Sequence, residues 1–334
     1  MTEADLAARG LHRIAIPIPF VAAGGPVNVY VLENADGSLT LFDAGLGTEE
    51  AHAALLAGFE RLGRRLEEVS RIVVSHGHVD HFGAATFVRE RQGGTLQVFA
   101  HPGDVPKIDE RGPRFGELRP AVNAHFARLG VPPEVREASA RVGEASYTRA
   151  RRVAGVRPIL AGEVVEGREL RFEVRHWPGH TPGLVALHEP RLGLLLAADH
   201  LLERISPNPL IELGPDGADG WFRPLIAYLG SLEETRALEL ELVLPGHGPP
   251  FGGHRSVIDR LRAFYSKRQE RLAGLLAGGP LTGWALCQAL FPAARPGEAY
   301  LTLSETVANL EVLEDRGAVV RVEEGGAWRF QRAA

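Results

Sequence analysis

Cysteine is almost absent from this chain of 334 residues, since Cys287 is the only one. A single cysteine cannot form an internal disulfide, so the sequence is compatible with a reducing compartment. Cys287 lies in the apolar segment Trp284-Ala285-Leu286-Cys287. This spacing predicts a buried helical position, and not a nucleophile or a metal ligand.

Long apolar runs are also missing. No stretch reaches the roughly 18 apolar residues that a membrane-spanning helix needs. The N-terminal segment 1–10 carries acidic residues and lacks the apolar core of a signal peptide. We therefore expect a cytoplasmic protein without a membrane partner. The formal net charge of -5 excludes a general attraction to polyanions.

What the sequence does contain is a dense group of metal-ligating side chains. His76, His78, Asp80 and His81 follow the apolar segment Ile72-Val73-Val74, which predicts a buried strand, a tight loop and a helix start. Side chains alternate along an extended backbone, so His76 and His78 point the same way. Asp80 and His81 lie one turn further on, so one loop can serve two metals about 3.5–4 Å apart.

This H-x-H-x-D-H pattern resembles the signature of the metallo-β-lactamase-fold hydrolases. Four further segments resemble the rest of that family's pattern and occur in the same order. They are Leu41 to Gly45 around Asp43, Trp177 to Gly183 around His180, Leu194 to His200 around Asp199, and Val243 to Gly248 around His247. The resemblance implies an α/β (α+β) fold, an αββα sandwich over residues 1–252. It says little about the substrate, because that fold hosts many reactions.

The resemblance also implies how seven ligands are divided between two metals. One metal would be held by His76, His78 and His180, the other by Asp80, His81 and His247, with Asp199 bridging the two. The expected cofactors are two divalent metal ions. Imidazole and carboxylate ligands favour zinc, with iron and manganese as alternatives, over calcium or magnesium.

Two acidic residues have expected roles beyond charge. Asp80 is the expected catalytic residue, which orients a metal-bridging hydroxide, takes its proton and passes it to the leaving group. Asp43 is expected to accept a hydrogen bond from the far nitrogen of a ligand histidine, which fixes the tautomer of that ring.

The residues at two positions bear on the substrate. β-Lactamases of this fold usually have a residue other than His after the Asp and a Cys further on, whereas this chain has His81 and Asp199. The resemblance is therefore to the glyoxalase-II-like group, and we expect hydrolysis of a thioester or lactone in a small molecule. The basic cluster of glutathione thioester hydrolases is not found, which weakens the thioesterase hypothesis. The alternatives are a metal-dependent endoribonuclease and a mononuclear iron persulfide dioxygenase.

Residues 104–152 interrupt the alternation of strands and helices. They are charged and rich in proline, and the family places substrate-covering insertions near here. We therefore predict a partly helical cap, with a surface excursion that does not contact substrate as the alternative. Tyr228, Trp221 and Arg223 are candidates for the wall of the substrate pocket.

Several other histidines compete with the predicted ligands. His176 lies four residues before His180, and we favour His180 because its flanking glycines let the backbone bring the ring close to a metal. We interpret His200 as a neighbour of the metal centre, His125 as structural and His188 as a solvent-facing strand residue.

Residues 253–334 form a second predicted domain with three helices, one of them capped by Thr282, and a hairpin. This winged-helix pattern resembles the C-terminal domain of some family members, including ones that act on RNA. The alternatives are a packing domain or a dimerisation domain, so RNA and a second copy of the chain are candidate partners. DNA reading is not expected, since phosphate contacts need Arg and Lys. The third helix instead carries Glu305, Glu311, Glu314 and Asp315.

Overall fold

The computed structural model describes residues 1–20, 24–212 and 221–333. A six-stranded sheet contains the first six strands in their order along the chain. They are β1 (Leu11–Ile16), β2 (Val27–Glu33), β3 (Leu39–Phe42), β4 (Val69–Val73), β5 (Gln97–Ala100) and β6 (Arg157–Pro158). The strands β1 to β3 pair antiparallel, and β3 to β6 pair parallel.

A five-stranded sheet lies in the second half of the chain, in the spatial order β11-β10-β9-β8-β7. Its strands are β7 (Val164–Glu166), β8 (Arg171–His176), β9 (Val185–Glu189), β10 (Leu194–Ala198) and β11 (Leu242–Pro245). The strands β10 and β11 pair parallel, and the other neighbours pair antiparallel.

The part of the chain that is described contains eleven α-helices. They are α1 (Glu3–Ala8), α2 (Glu49–Arg61), α3 (Val79–Phe82), α4 (Ala85–Gln92), α5 (Val105–Ile108), α6 (Phe115–Arg128), α7 (Pro133–Tyr147), α8 (Pro224–Arg236), α9 (His254–Leu275), α10 (Gly283–Leu290) and α11 (Ala299–Asp315). Among these described helices, none combines the length and the apolar composition that crossing a membrane requires.

Three apolar clusters stack helices and sheets into four layers. The first lies between the six-stranded sheet and α2 and α4, and the second lies between the two sheets, where Phe42 and Val73 share a core with Phe172 and Leu196. The third packs the five-stranded sheet against α8 and α9. Strand β2 contributes to two clusters because alternate side chains point to opposite faces. The αββα sandwich predicted from the resemblance is confirmed.

The two sheets are joined directly at the end where β11 finishes. The Asn28 side chain donates to the carbonyls of Pro245 and Gly248, at 2.9 and 2.8 Å, and its backbone N donates to the Gly246 carbonyl at 2.7 Å. The Tyr30 hydroxyl donates to the Pro245 carbonyl at 2.7 Å. These bonds hold the segment around His247 against β2 of the other sheet.

The insertion at residues 104–152 is largely helical, as predicted, and consists of α5, α6 and α7. A fourth apolar cluster joins it to the C-terminal segment: Phe126 and Leu129 of the insertion share a core with Leu286 and Leu303. Two regions that the sequence presents as separate are therefore packed together.

The C-terminal segment runs α9, β12 (Leu281–Thr282), α10, α11, β13 (Val319–Glu324) and β14 (Ala327–Arg332). The helices and hairpin were predicted, whereas the short strand β12 was missed. Thr282 caps α10 and Cys287 is buried, so both predictions are confirmed. The winged-helix classification and the boundary at residue 252 stay predictions.

Candidate metal centre

The loop that carries four predicted ligands is held in place by Asp43, which follows β3. Asp43 has a positive φ of 66°, a conformation that Asp tolerates better than most residues. Its carboxylate accepts from the Ser75 backbone N at 2.7 Å and from the Ser75 hydroxyl at 2.8 Å. It also lies 2.8 Å from His81 Nδ1. One buried carboxylate therefore fixes both ends of the loop, which continues into α3.

A first group of nitrogens converges where the His76–His81 loop meets the loop that carries His180. His78 Nδ1 lies 3.0 Å from His76 Nε2 and 3.0 Å from His180 Nε2. A tetrahedral zinc ion with bonds of 2.0–2.1 Å holds its nitrogen ligands about 3.3 Å apart. The spacing of these three rings therefore suits a metal ion.

A second group lies beside the first and contains Asp80, His81 and His247. Asp80 Oδ2 lies 3.5 Å from His247 Nε2 and 4.0 Å from His81 Nε2. The ligand atoms of this group all lie within 4.8 Å of one another. Two sets of three potential ligands thus match the division that the resemblance implied, and a third group of the same kind, His76, His81 and Asp199, spans the two.

Asp199, directly after β10, faces both groups. Its Oδ2 lies 3.5 Å from His180 Nε2 and 3.5 Å from His247 Nε2, and its Oδ1 lies 3.5 Å from His81 Nε2. Gly246 makes this approach possible, because a Cβ there would lie 2.2 Å from Asp199 Oδ1.

The pattern of hydrogen bonds shows that these residues fit metal ions. Among the described residues, His81 Nε2, His247 Nε2 and Asp199 Oδ1 are buried without a hydrogen-bond partner. Buried polar atoms in folded proteins are nearly always paired with a partner or an ion. His81 Nε2 lies 3.5 Å from Asp199 Oδ1, and His247 Nε2 lies 3.5 Å from Asp199 Oδ2, so bound cations would supply the missing partners.

The Asp199 and Asp80 carboxylates make the electrostatic potential at the site negative, which favours bound cations. Burial by itself lowers the pKa of His247, but Asp199 and Asp80 outweigh it and raise that pKa to about 10. Burial opposes ionisation of Asp199, and His247 and His81 hold the pKa of that carboxyl well below its usual range. His180 is different, since burial and the neighbouring His78 lower its pKa to about 4. Its ring is neutral at pH 7, which is the form that binds a metal.

The far ring nitrogens of three ligands have partners that favour the ligating tautomer. Ser75 Oγ lies 2.9 Å from His76 Nδ1, and Asp43 lies against His81 Nδ1. The carbonyls of Gly25 and Pro26 each lie 3.3 Å from His247 Nδ1. A proton held on Nδ1 leaves the Nε2 lone pair of each ring free for a metal.

Asp104 is an organising residue that the sequence did not reveal. It is fully buried, and its Oδ2 accepts from the Gly77 backbone N at 3.0 Å and from the Thr181 hydroxyl at 2.5 Å. It therefore ties the His76–His81 loop to the loop that carries His180. The sequence showed only a charged residue at the start of an insertion, and no local signal marks the contact.

The competing histidines have other partners. His176 Nε2 lies 2.9 Å from the Pro182 carbonyl, and its ring stacks on His101 at 3.7 Å. His200 Nε2 lies 2.7 Å from the Thr235 hydroxyl. His188 is 4% exposed, so its prediction as a solvent-facing residue is wrong. It was misplaced because β9 is covered on both faces and does not alternate.

The three proposed wall residues have other contacts. Tyr228 is 1% exposed and its hydroxyl donates to the His200 carbonyl at 2.8 Å, so that proton is engaged within the protein. The Trp221 ring lies 3.9 Å from the His125 ring. Arg223 donates to the Glu311 carbonyl at 2.8 Å.

These contacts revise the expected roles. Tyr228 backs Gly179, where an added Cβ would lie 2.5 Å from the Tyr228 Cβ, so it supports the His180 loop from behind. Trp221 and Arg223 join the sandwich to the insertion and to α11. We therefore do not propose Tyr228 as a substrate ligand, and the roles of Trp221 and Arg223 in the pocket wall stay predictions.

Comparisons with known proteins agree with this geometry. The profile of the Metallo-beta-lactamase superfamily matches residues 22–247, a range that includes all seven predicted ligands. The probable metallo-hydrolase YqjP of Bacillus subtilis (strain 168) is 30% identical over 321 residues, which are 95% of this chain and 97% of that protein.

Two crystal structures have a similar fold over nearly the whole chain. The metallo-beta-lactamase family protein TTHA1429 from Thermus thermophilus aligns with a TM-score of 0.80 and 32% identity, covering 97% of this chain and 98% of that one. A beta-lactamase domain protein from Burkholderia ambifaria aligns with a TM-score of 0.81 and 27% identity, covering 97% and 92%. The chain thus belongs to the metallo-beta-lactamase superfamily and is a metallo-hydrolase.

Proposed function

We propose that this protein uses two divalent metal ions to hydrolyse a thioester or lactone in a small molecule. The observation that carries the proposal is the position of Asp199. One of its oxygens lies 3.5 Å from a histidine of each ligand group, His180 and His247. Zinc is the proposed metal, with iron and manganese as alternatives, and the cytoplasm is the proposed location.

Relatives support the choice of a thioester. The acyl-coenzyme A thioesterase MBLAC2 of Homo sapiens is 24% identical over 253 residues, which are 71% of this chain and 78% of that protein. The linear primary-alkylsulfatase of Pseudomonas sp. (strain ATCC 19151) is 23% identical over 231 residues, but these are only 42% of that protein. The fuller match favours an acyl thioester, and an alkyl sulfate belongs in the test as a competing substrate.

Asp80 is the proposed proton carrier. Two divalent cations at this site would supply acidification of water and polarisation of the scissile carbonyl. The Asp80 carboxyl is buried, which opposes ionisation, but His81 and His247 keep its pKa below the usual range. It is therefore ionised at neutral pH, and it can accept a proton from the attacking water. That proton then goes to the sulfur or oxygen that leaves when the C–S or C–O bond breaks.

The test compares the wild type with Asp80→Ala on a panel of substrates. The protein is loaded with zinc or manganese, and acyl thioesters, lactones, an alkyl sulfate and single-stranded RNA are assayed side by side. We expect turnover of a thioester or lactone that falls at least about 100-fold in Asp80→Ala. Asp259→Asn is the matched control, because Asp259 is exposed and pairs with Arg236 on the surface. It should keep full activity.

Other outcomes would each replace the proposal with a specific alternative. Cleavage of RNA alone would identify an endoribonuclease, and turnover of the alkyl sulfate alone would identify a sulfatase. Metal analysis supplies an independent check, since the proposal requires about two metal ions per chain. About one iron per chain, with oxygen consumed in the presence of a persulfide, would instead identify a dioxygenase.

A further inference from the structure

His78 differs from the other predicted ligands in the partner of its outer nitrogen. Its Nδ1 faces His76 and His180, so the proton of a neutral ring belongs on Nε2. Among the described residues Nε2 is buried without a hydrogen-bond partner. The Glu212 carboxylate lies 3.7 Å from it, within the distance of an ion pair.

The Glu212 carboxylate is held by Lys107, which packs against the loop of metal ligands. Lys107 Nζ donates to Glu212 Oε2 and to Asp104 Oδ1, the latter at 3.1 Å. The Lys107 side chain runs along Gly77, where an added Cβ would lie 2.6 Å from Lys107 Cδ. Because Asp104 also binds the Gly77 backbone N, the contacts form a closed circuit around His78.

The far side of this circuit is fixed by the C-terminal segment. The backbone N of Ile211, next to Glu212, donates to Ser304 Oγ at 3.1 Å, and the Tyr300 hydroxyl donates to the Ile211 carbonyl at 2.7 Å. Ile211 is buried in the cluster that joins the insertion to the C-terminal helices. The Phe222 backbone N also donates to the Glu212 carbonyl at 3.1 Å. The place of Glu212 is therefore set by α11, which lies outside the αββα sandwich, together with the segment before α8.

We propose that Glu212 is a positioning residue for the metal ligand His78, and that residues 253–334 hold it in place through Ser304 and Tyr300. A carboxylate beside the outer nitrogen orients the ring and makes its other nitrogen a stronger ligand. The C-terminal segment thereby acts on the metal centre without touching it, a role that requires no nucleic acid. This inference rests on the metal centre of the proposed function.

The first test measures metal binding by the full-length chain. Apo protein is titrated with zinc against a chelator of known affinity, and with cobalt, whose visible absorption reports the ligand geometry. We expect wild type to bind two zinc ions, and Glu212→Gln to bind one of them about 10–100-fold more weakly, with a changed cobalt spectrum. Glu203→Gln is the matched control. It removes a carboxylate near the same segment that pairs only with the surface residue Arg204 in the described structure, and should match the wild type.

The outcomes separate this inference from the proposed function. If the wild type binds no metal, both the proposed function and the positioning role of Glu212 are contradicted. If the wild type binds two zinc ions and Glu212→Gln binds both equally well, only the positioning role falls. A loss of affinity for both ions together with a lowered melting temperature of the apo protein would indicate general destabilisation and would also overturn the positioning role.

A second pair of variants tests the link to the C-terminal segment. Ser304→Ala and Tyr300→Phe each remove one hydrogen bond to Ile211 and leave Glu212 intact. We expect each to weaken the same zinc ion several-fold, with the cobalt spectrum shifted as in Glu212→Gln. Unchanged affinity and spectrum in both variants would show that Glu212 does not depend on α11.

Discussion

Single residues of the site divide into those that local sequence reveals and those that only the fold reveals. His76, His78 and His81 were predictable because they crowd into one short loop, and His180 was separable from His176 by its flanking glycines. Asp104 was not predictable, because its role depends on two loops that are distant in sequence meeting at its carboxylate. Tyr228 was misplaced because the sequence does not reveal that its hydroxyl bonds the His200 carbonyl.

A glycine beside the bridging carboxylate provides a test at this scale. In Gly246→Ala the new Cβ would lie 2.2 Å from Asp199 Oδ1, 2.9 Å from the backbone C of Ala198 and 3.1 Å from His81 Cε1, so the carboxylate and the backbone before it must shift. We expect at least about 10-fold weaker metal binding and a matching loss of hydrolysis. Chelator competition and the hydrolysis assay measure the two effects.

The matched control for Gly246 is Gly230→Ala in α8, where an added Cβ meets no atom within 4 Å. Since alanine favours helix over glycine, this control should bind metal normally and melt at the same or a higher temperature. Normal metal binding by Gly246→Ala would mean that the site tolerates a displaced Asp199, and that the bridge is not essential.

At the scale of elements, the three C-terminal helices and the hairpin were located from the sequence, and the errors fall at short elements or at strands covered on both faces. The strand β12 has two residues, too few for any pattern. The sequence predicted a helix start after the ligand loop, but α3 already begins at Val79, inside the motif, and α4 starts after Gly83 and Ala84. That early start places Asp80 and His81 on a helical turn.

The junction between α6 and the C-terminal hairpin contains a histidine between two tryptophans. The His125 ring lies 3.9 Å from Trp221 and 5.3 Å from Trp328. Burial, followed by the nearby Arg321 and Arg128, lowers the pKa of His125 to about 4. The charged groups around this contact are Arg128, which pairs with Glu323, and Arg321, which pairs with Glu314.

This histidine should make the junction sensitive to acid. Because the pKa is lower in the folded state than the usual 6.5, the unfolded state takes up the proton first as pH falls. The contribution of neutral His125 to the free energy of unfolding is therefore complete above about pH 6.5. It is lost towards pH 4, and the loss is at most about 3 kcal/mol. In His125→Phe, which keeps the aromatic contact, this part of the pH dependence should disappear.

Urea unfolding of the metal-loaded wild type and His125→Phe between pH 4 and 7.5 measures the effect. As the pH falls across this range, the wild type should lose more unfolding free energy than His125→Phe. A difference that stays constant with pH would show that His125 titrates normally in the folded protein.

At the scale of the whole molecule, the order of five motifs predicted the sandwich, but the sequence could not predict how its additions pack. The insertion and the C-terminal segment looked independent, because neither contains a pattern that identifies the other as its partner. In the structure they share a core, and α9 and Val312 of α11 also pack on the five-stranded sheet. The chain is thus joined by apolar contacts across the boundary predicted at residue 252.

This continuity predicts cooperative unfolding. Leu129 is fully buried, and its Cδ2 would lie 2.9 Å from a Cβ at Gly283. In Leu129→Ala we expect a loss of about 2–5 kcal/mol and one calorimetric transition, shifted as a whole to lower temperature. Leu160→Ala, at a residue that is 49% exposed, is the control and should melt like the wild type. Two transitions, of which the variant shifts only one, would show independent domains.

The bonds from Asn28 and Tyr30 to the segment of His247 have a consequence for how the enzyme acquires its metals. These bonds join a backbone carbonyl near His247 to side chains of the other sheet, so they restrict the position of this ligand through atoms that are not metal ligands. We therefore expect the chain to stay folded while one metal ion replaces another. Which cation occupies it in a living cell is consequently decided by supply as well as by the donor atoms.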